Sequence, residues 1–197
     1  MNTESKSNEK IITLVPGSRI GEVKRLLPVF REFIEKIDNR NEYKFAIPVV
    51  ETTAEYVKSV VATWPVRPEI VPSVARYDLY RRTYVAVVAS GTVSAELAML
   101  HVPAIVAYKM NRVTTWIGHL LIRVRWVSLV NILLNRAVYP EFLGEKATPE
   151  NIACAFRAMT NPVTRKKIVS DLCAADSMWV RPEGAASKII AEQVISG

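Results

Sequence analysis

Short runs that are hydrophobic almost throughout, each followed by a stretch of helical periodicity, dominate the first half of this chain: Ile11 to Val15, Lys44 to Val50, Glu69 to Val71, Tyr84 to Ala89 and Pro103 to Tyr108. A strand with one wet face alternates apolar and polar residues, so a strand that does not alternate must be covered on both faces. The intervening segments supply the cover. Val23, Leu26, Leu27, Phe30, Phe33, Ile34 and Ile37 recur at helical spacing, with Glu22, Lys24, Arg31, Glu35 and Lys36 opposite them. Thr53 to Ala62, Val74 to Arg81 and Val93 to Leu100 read as further helical segments. Strands and helices in this alternation predict an α/β fold built on a doubly wound parallel sheet.

Beyond about Arg112 the strand signal fades, apart from Trp126 to Leu129, and a helical C-terminal tail is expected. Thr148-Pro149-Glu150 and Asn161-Pro162 each place a capping side chain directly before a proline at the first helical position. A last helix is expected from about Ala185 to Ile195. Pro28 falls inside the first helical pattern and has no N–H to donate, which predicts a kink there or a helix that begins nearby. There is no internal repeat and no Gly/Ser-rich linker, so residues 11–197 read as one domain behind a polar, disordered lead-in at 1–10.

Half of the 197 residues are hydrophobic, enough to bury the core of one ordinary domain. The net charge of +7 favours phosphate-bearing partners: a nucleotide, an anionic lipid or nucleic acid. The last has no motif and no basic-aromatic alternation behind it, so no nucleic-acid partner is expected. Cys154 and Cys173 lie in helical segments without metal-type spacing or a secretory leader, and are expected to be reduced, packed thiols of a cytoplasmic protein. His101 and His119 have no partner histidine at ligand spacing and read as surface or packing residues. No run reaches the roughly 18 to 20 apolar residues of a spanning helix, so membrane contact is expected to be peripheral.

Ligands of open parallel sheets sit at the carboxyl ends of the strands, which directs attention to the loops. Pro16-Gly17-Ser18-Arg19 follows the first strand and leads into a helix, offering backbone N–H groups, a flexible glycine, a hydroxyl and a cation in one turn. That set suits a phosphate, although an ordinary turn with a solvated arginine would look the same. Gly17 through Glu22 completes neither the Walker loop nor the dinucleotide fingerprint, which removes most support for ATP hydrolysis and nicotinamide chemistry. Ser90-Gly91-Thr92 follows the most apolar strand, with Glu96 one turn into the next helix. These residues suit a diphosphate and the hydroxyls of a ribose, or equally a helix cap with a favourable first-turn acid. Asn131 to Arg136, followed by Pro140-Glu141, concentrates amide, guanidinium and carboxylate groups after an apolar stretch, a pattern common in site-lining loops.

Taken in order, Leu14 to Arg19, Glu22 with Leu26-Leu27-Pro28, Ser90-Gly91-Thr92 with Glu96, Pro103 to Lys109, Val127-Ser128-Leu129, Asn131 with Arg136, Pro140-Glu141 and Ala147 to Glu150 form a spaced series. This series resembles the C-terminal half of the lipid-A-disaccharide synthases, family 19 glycosyltransferases of the GT-B fold. The resemblance covers nearly the whole chain after its first ten residues. It implies a Rossmann-like domain that holds UDP-2,3-diacylglucosamine, whose sugar passes with inversion to 2,3-diacylglucosamine 1-phosphate (lipid X) in lipid A biosynthesis. It further implies that Gly17, Ser18 and Arg19 meet the diphosphate or sugar, that Ser90, Gly91 and Thr92 cradle phosphate and that Glu96 binds ribose. Asn131, Arg136 and Glu141 would line the rest of the donor pocket. No cofactor is expected, and with no Asp-x-Asp motif donor binding is expected to be metal-independent.

The chain departs from the family pattern in two places. Asn135 stands where a glycine is usual, and asparagine is the next best residue at positive φ. Arg82-Thr83-Tyr84 replaces an Ala-Asp pair before the Ser90 strand. Family members also carry an N-terminal half with the acceptor site and general base, which this sequence does not contain. The expectation is therefore that the chain alone has little or no transferase activity and that a separately encoded acceptor domain completes it; a non-catalytic UDP-sugar-binding remnant or scaffold is the alternative. A homodimer is compatible with either. Val113, Trp116, Ile117, Leu120, Leu121 and Val124 form an apolar stripe flanked by Lys109, Arg112, Arg123 and Arg125. Arg112 to Arg125 could thus lie on an anionic membrane surface, placing the protein peripherally on the inner membrane, or the stripe could pack against protein.

Overall fold

A computed structural model describes residues 9–109 and 125–179. Its centre is a sheet of six parallel strands: β1 (Lys10–Val15), β2 (Tyr43–Val49), β3 (Glu69–Pro72), β4 (Thr83–Val88), β5 (Ala104–Tyr108) and β6 (Glu141–Leu143). The helices are α1 (Ile20–Glu35), α2 (Glu51–Val61), α3 (Arg76–Arg82), α4 (Val93–Met99), α5 (Leu129–Leu134), α6 (Pro149–Thr160) and α7 (Pro162–Trp179). The strand order is β3-β2-β1-β4-β5-β6, so the chain winds outward one way from β1 and then crosses back to wind the other way from β4. The doubly wound α/β class expected from the apolar runs is the class observed. Consecutive β4 residues Val85, Ala86, Val87 and Val88 are all fully buried, which is possible only with both faces of the sheet covered.

Helix α1 shows how packing overrides local propensity. An interior proline costs a helix about 3 kcal/mol. Against this, α1 buries seven apolar side chains, Val23, Leu26, Leu27, Val29, Phe30, Phe33 and Ile34. Each of these contributes roughly 1.5 to 3 kcal/mol. The helix therefore starts at Ile20 and continues through Pro28, whose ring lies on the exposed face. The alternative of a helix starting near Pro28 is excluded. Phe33 meets Phe156 of α6 edge-on at 5.7 Å, fixing α6 against α1.

The caps read from the sequence are present. Thr148 Oγ1 accepts from the Asn151 N–H at 3.2 Å, and Asn161 Oδ1 accepts from the Val163 N–H at 3.0 Å. Asn135 closes α5 at φ 46°, so asparagine does serve where glycine is usual. Thr83, in the unusual Arg82-Thr83-Tyr84 segment, donates its hydroxyl to Leu79 O at 2.9 Å and accepts from the buried Thr13 hydroxyl at 2.6 Å.

Two expectations change. Trp126 to Leu129 is not a strand: the Val127 and Ser128 N–H groups donate to the Glu141 carboxylate instead of a neighbouring strand, and Leu129 opens α5. Cys154 and Cys173 are free thiols as expected, but they are exposed and not packed. Each lies off its helix's buried stripe, which on α6 runs through Ile152, Ala153, Ala155, Phe156 and Met159 and on α7 through Ile168, Leu172 and Ala175. His101 is a partly exposed residue whose Nε2 lies 2.8 Å from Asp176, in keeping with the surface reading. The lead-in up to residue 8, His119, the Val113 to Val124 stripe and the expected helix from Ala185 lie outside the described residues. Among the described residues, no helix is long and apolar enough to cross a membrane.

Candidate functional site

The reversal of winding falls between β1 and β4, where the loops leaving their carboxyl ends diverge and open a crevice. The Ala89 N–H donates to Val15 O at 2.8 Å, tying the roots of those two loops together. Above this link lies a cleft of about 490 Å³. Gly17, Ser18, Arg19, Ser90, Gly91, Thr92 and Glu96, all singled out in the sequence, line it together.

Each wall has a local cause. Gly17 adopts φ +102°, and a Cβ at that position would land on the Glu22 carboxylate and 3.2 Å from the Glu22 Cβ, so the turn requires glycine twice over. Arg19 begins α1 with no side-chain cap on that helix, leaving the positive end of a 16-residue helix directed at the cleft. Its side chain is 84% exposed and, among the described residues, has one ion-pair contact, to Glu22 at 3.3 Å. On the other wall, α4 likewise has no side-chain cap, so the capping role that would have explained Ser90 and Thr92 without a ligand is not seen. The hydroxyl that does bond back is Ser94, donating to Gly91 O at 2.8 Å and holding the Ser90-Gly91-Thr92 loop in shape.

Glu96 also lines the cleft, with its Oε2 3.5 Å from Arg76 Nε. That oxygen is buried and has no hydrogen bond, so the pair is an ionic contact, not a close bond. Burial first, and the nearby Glu96 carboxylate second, hold the Tyr80 phenol well above its ordinary pKa, so it stays neutral at any physiological pH. Sequence reasoning missed Arg76, Tyr80 and Ser73, as well as the Pro48-Val49-Val50 floor. The usable signal was the same strand-end rule applied to β3, whose trailing loop carries Ser73 and Arg76 onto the same edge of the sheet.

The remaining three candidates do not line this cleft. Asn131 is fully buried: its amide nitrogen donates to Tyr139 O and to Glu141 Oε1, both at 2.7 Å, and its oxygen accepts from the Val138 and Tyr139 N–H groups at 2.8 Å. Glu141 also accepts from Val127 N at 2.8 Å, Ser128 N at 3.0 Å and Ser128 Oγ at 2.7 Å. Arg136 pairs with Asp171 of α7 at 2.9 Å. Asn131 and Glu141 thus form a clamp that joins the start of α5, the loop after it and β6.

A parallel sheet of this order with a polar cleft at its switch point has the Rossmann-like architecture found in GT-B glycosyltransferases. Solved structures agree on the fold. The chain superposes on a spinosyn rhamnosyltransferase complexed with thymidine diphosphate at a TM-score of 0.59 and 13% identity, covering 96% of this chain and 46% of that one. It also matches the UDP-GlcNAc 2-epimerase of Neisseria meningitidis bound to UDP-GlcNAc, at a TM-score of 0.54 and 15% identity over 98% of this chain and 45% of that one. The sequence is more specific. Residues 2–183 match the family model described as lipid-A-disaccharide synthetase, and the chain belongs to that family. It is 38% identical over 156 residues to the lipid-A-disaccharide synthase of Granulibacter bethesdensis, covering 78% of this chain and 40% of that protein. With the synthase of Rhodospirillum centenum it shares 34% identity over 189 residues, 94% of this chain and 47% of that protein. The chain thus spans less than half the length of these relatives.

Proposed function

We propose that this chain is the donor-binding domain of a lipid-A-disaccharide synthase, holding UDP-2,3-diacylglucosamine while its sugar passes to lipid X with release of UDP. The observation that carries this reading is the assembly of Gly17–Arg19, Ser90–Thr92 and Glu96 around one switch-point cleft. As the anomeric bond breaks, negative charge grows on the leaving diphosphate. The uncapped start of α1 and the Arg19 guanidinium are positioned to stabilise that charge more than the ground state. Arg19 gives up little to do so, because its exposed contact with Glu22 is of the kind worth about 0 to 1 kcal/mol. Glu96 accepts hydrogen bonds from the ribose hydroxyls.

The acceptor site and the general base belong to the other half of the relatives' length. A base supplies roughly 10²- to 10⁴-fold of rate and acceptor positioning more, so this chain alone is expected to bind donor without turning it over. Disaccharide formed from both acylated substrates by this chain alone would overturn that expectation.

Calorimetric titration with UDP tests the site. Arg19→Ala and Glu96→Ala are each expected to weaken UDP by about tenfold, the loss of one charge-assisted bond. If neither weakens it, the site assignment fails. Liposome flotation tests the membrane contact expected of Arg112 to Arg125: no binding to anionic vesicles at low salt removes it.

A further inference from the structure

The cleft carries two guanidinium groups, held in opposite ways. Arg19 is solvated and, among the described residues, has one ion-pair contact. Arg76 has a partner at each nitrogen: Nη1 donates to Ser73 O at 3.1 Å, Nη2 donates to the Tyr77 hydroxyl at 3.0 Å, and Nε faces Glu96 Oε2 at 3.5 Å. Its guanidinium carbon also sits 4.3 Å from the centre of the Tyr77 ring. A group whose nitrogens are all engaged is poorly placed to receive a diphosphate, but well placed to hold a carboxylate. The carboxylate it faces is Glu96. Oε2 is buried and lacks a hydrogen bond, and among the described residues Arg76 is the cation paired with it; Glu96 itself lines the cleft. Tyr80, fully buried and edge-on to Tyr77 at 6.1 Å, lines the same cleft.

We infer that Arg76 is a positioning residue: by fixing Glu96 it turns one carboxylate oxygen toward the ribose hydroxyls, and so makes donor binding selective for a ribonucleotide over its 2′-deoxy counterpart. The inference rests on the reading of Glu96 as the ribose acceptor. Without Arg76 the Glu96 carboxylate would be left with a buried, unbalanced oxygen. It would turn outward to water and lose its directed contact, while the diphosphate contacts at Arg19 and α1 would persist.

The test is the ratio of affinities for UDP and 2′-deoxy-UDP, measured by titration of the full chain. The wild-type protein is expected to prefer UDP by about tenfold, the value of one hydrogen bond to a charged acceptor. Glu96→Gln and Arg76→Gln should each reduce that preference to about twofold or less, and the double variant should reduce it no further than Glu96→Gln alone. Arg76→Lys, which keeps a cation beside Glu96, should recover part of it. Circular dichroism checks folding, and Arg76→Met, which keeps the aliphatic stem, carries the same expectation should the glutamine variant fold poorly. If Arg76→Gln or Arg76→Met weakens both nucleotides equally and leaves the ratio intact while Glu96→Gln abolishes it, the role of Arg76 is wrong and the ribose reading stands. A wild-type ratio near one, or a ratio unmoved in Glu96→Gln, defeats the ribose reading and this inference together.

Discussion

The switch-point turns and the Asn131–Glu141 clamp are both built from hydroxyls, amides, carboxylates and guanidiniums, yet they direct their hydrogen bonds in opposite ways. In the turns the capacity is left open. The start of α1 has no side-chain cap, that of α4 has none either, and Arg19 is solvent-exposed. In the clamp it is closed: Asn131 makes four hydrogen bonds within the chain, and the Glu141 carboxylate accepts four. Open capacity on a preformed wall suits a ligand, whereas closed capacity in the interior suits a scaffold. The contrast makes one region the place to lose binding and the other the place to lose stability.

The largest effect is therefore expected at Asn131. Asn131→Ala strands the Tyr139 N–H and carbonyl, leaves the Val138 N–H only its bond to Arg136 O, and removes one donor to Glu141, all in or beside the core. Urea unfolding should show a loss of about 3 kcal/mol or more, with UDP affinity of the folded protein unchanged. A loss under about 1 kcal/mol, or a selective loss of UDP binding, would break the contrast. Gly17→Ala should follow. It forces an alanine to φ +102° and drives its Cβ into Glu22. Stability should fall by about 1 to 2 kcal/mol. Unlike Asn131→Ala, it should also weaken UDP, because moving Glu22 disturbs the Arg19 turn; unchanged UDP affinity would show that the turn's shape is irrelevant to the cleft.

The legibility of this molecule divides along the same line. The sheet was readable because burial on both faces leaves a local signature, runs such as Val85 to Val88 without alternation, and its caps because Thr148 and Asn161 act within three residues of themselves. The turns after β1 and β4 were readable because the strand-end rule converts sequence position into location. Arg76 was not, since its role depends on α3 being carried back beside α4, a contact across 20 positions with no local mark. Neither was β6, three residues long and recognisable only by its pairing of Phe142 with Ala107. The clamp was not legible because a polar group's chemistry is written in the sequence but its bonding partners are not: the bonds of Asn131 and Glu141 to Tyr139 and Ser128 have no local mark.

Arg136 gives the smallest expected effect and the sharpest discrimination, because sequence reasoning put it in the donor pocket and the structure puts it on Asp171 of α7. A donor-pocket arginine meeting a diphosphate should lose about tenfold in UDP affinity on truncation to alanine, as expected for Arg19. A partly exposed arginine holding a helix should lose none. The Arg136 side chain is 47% exposed, so solvent screens its pairing even though Asp171 is only 18% exposed. Arg136→Ala should therefore lower stability by no more than about 0.5 kcal/mol and leave UDP titration curves superimposable on wild type. Measuring it beside Arg19→Ala turns the pair into a control for charge: both variants remove one positive charge from the same domain. If affinity followed net charge and not position, the two would weaken UDP alike, and the division of this molecule into an open cleft and a closed clamp would have to be given up.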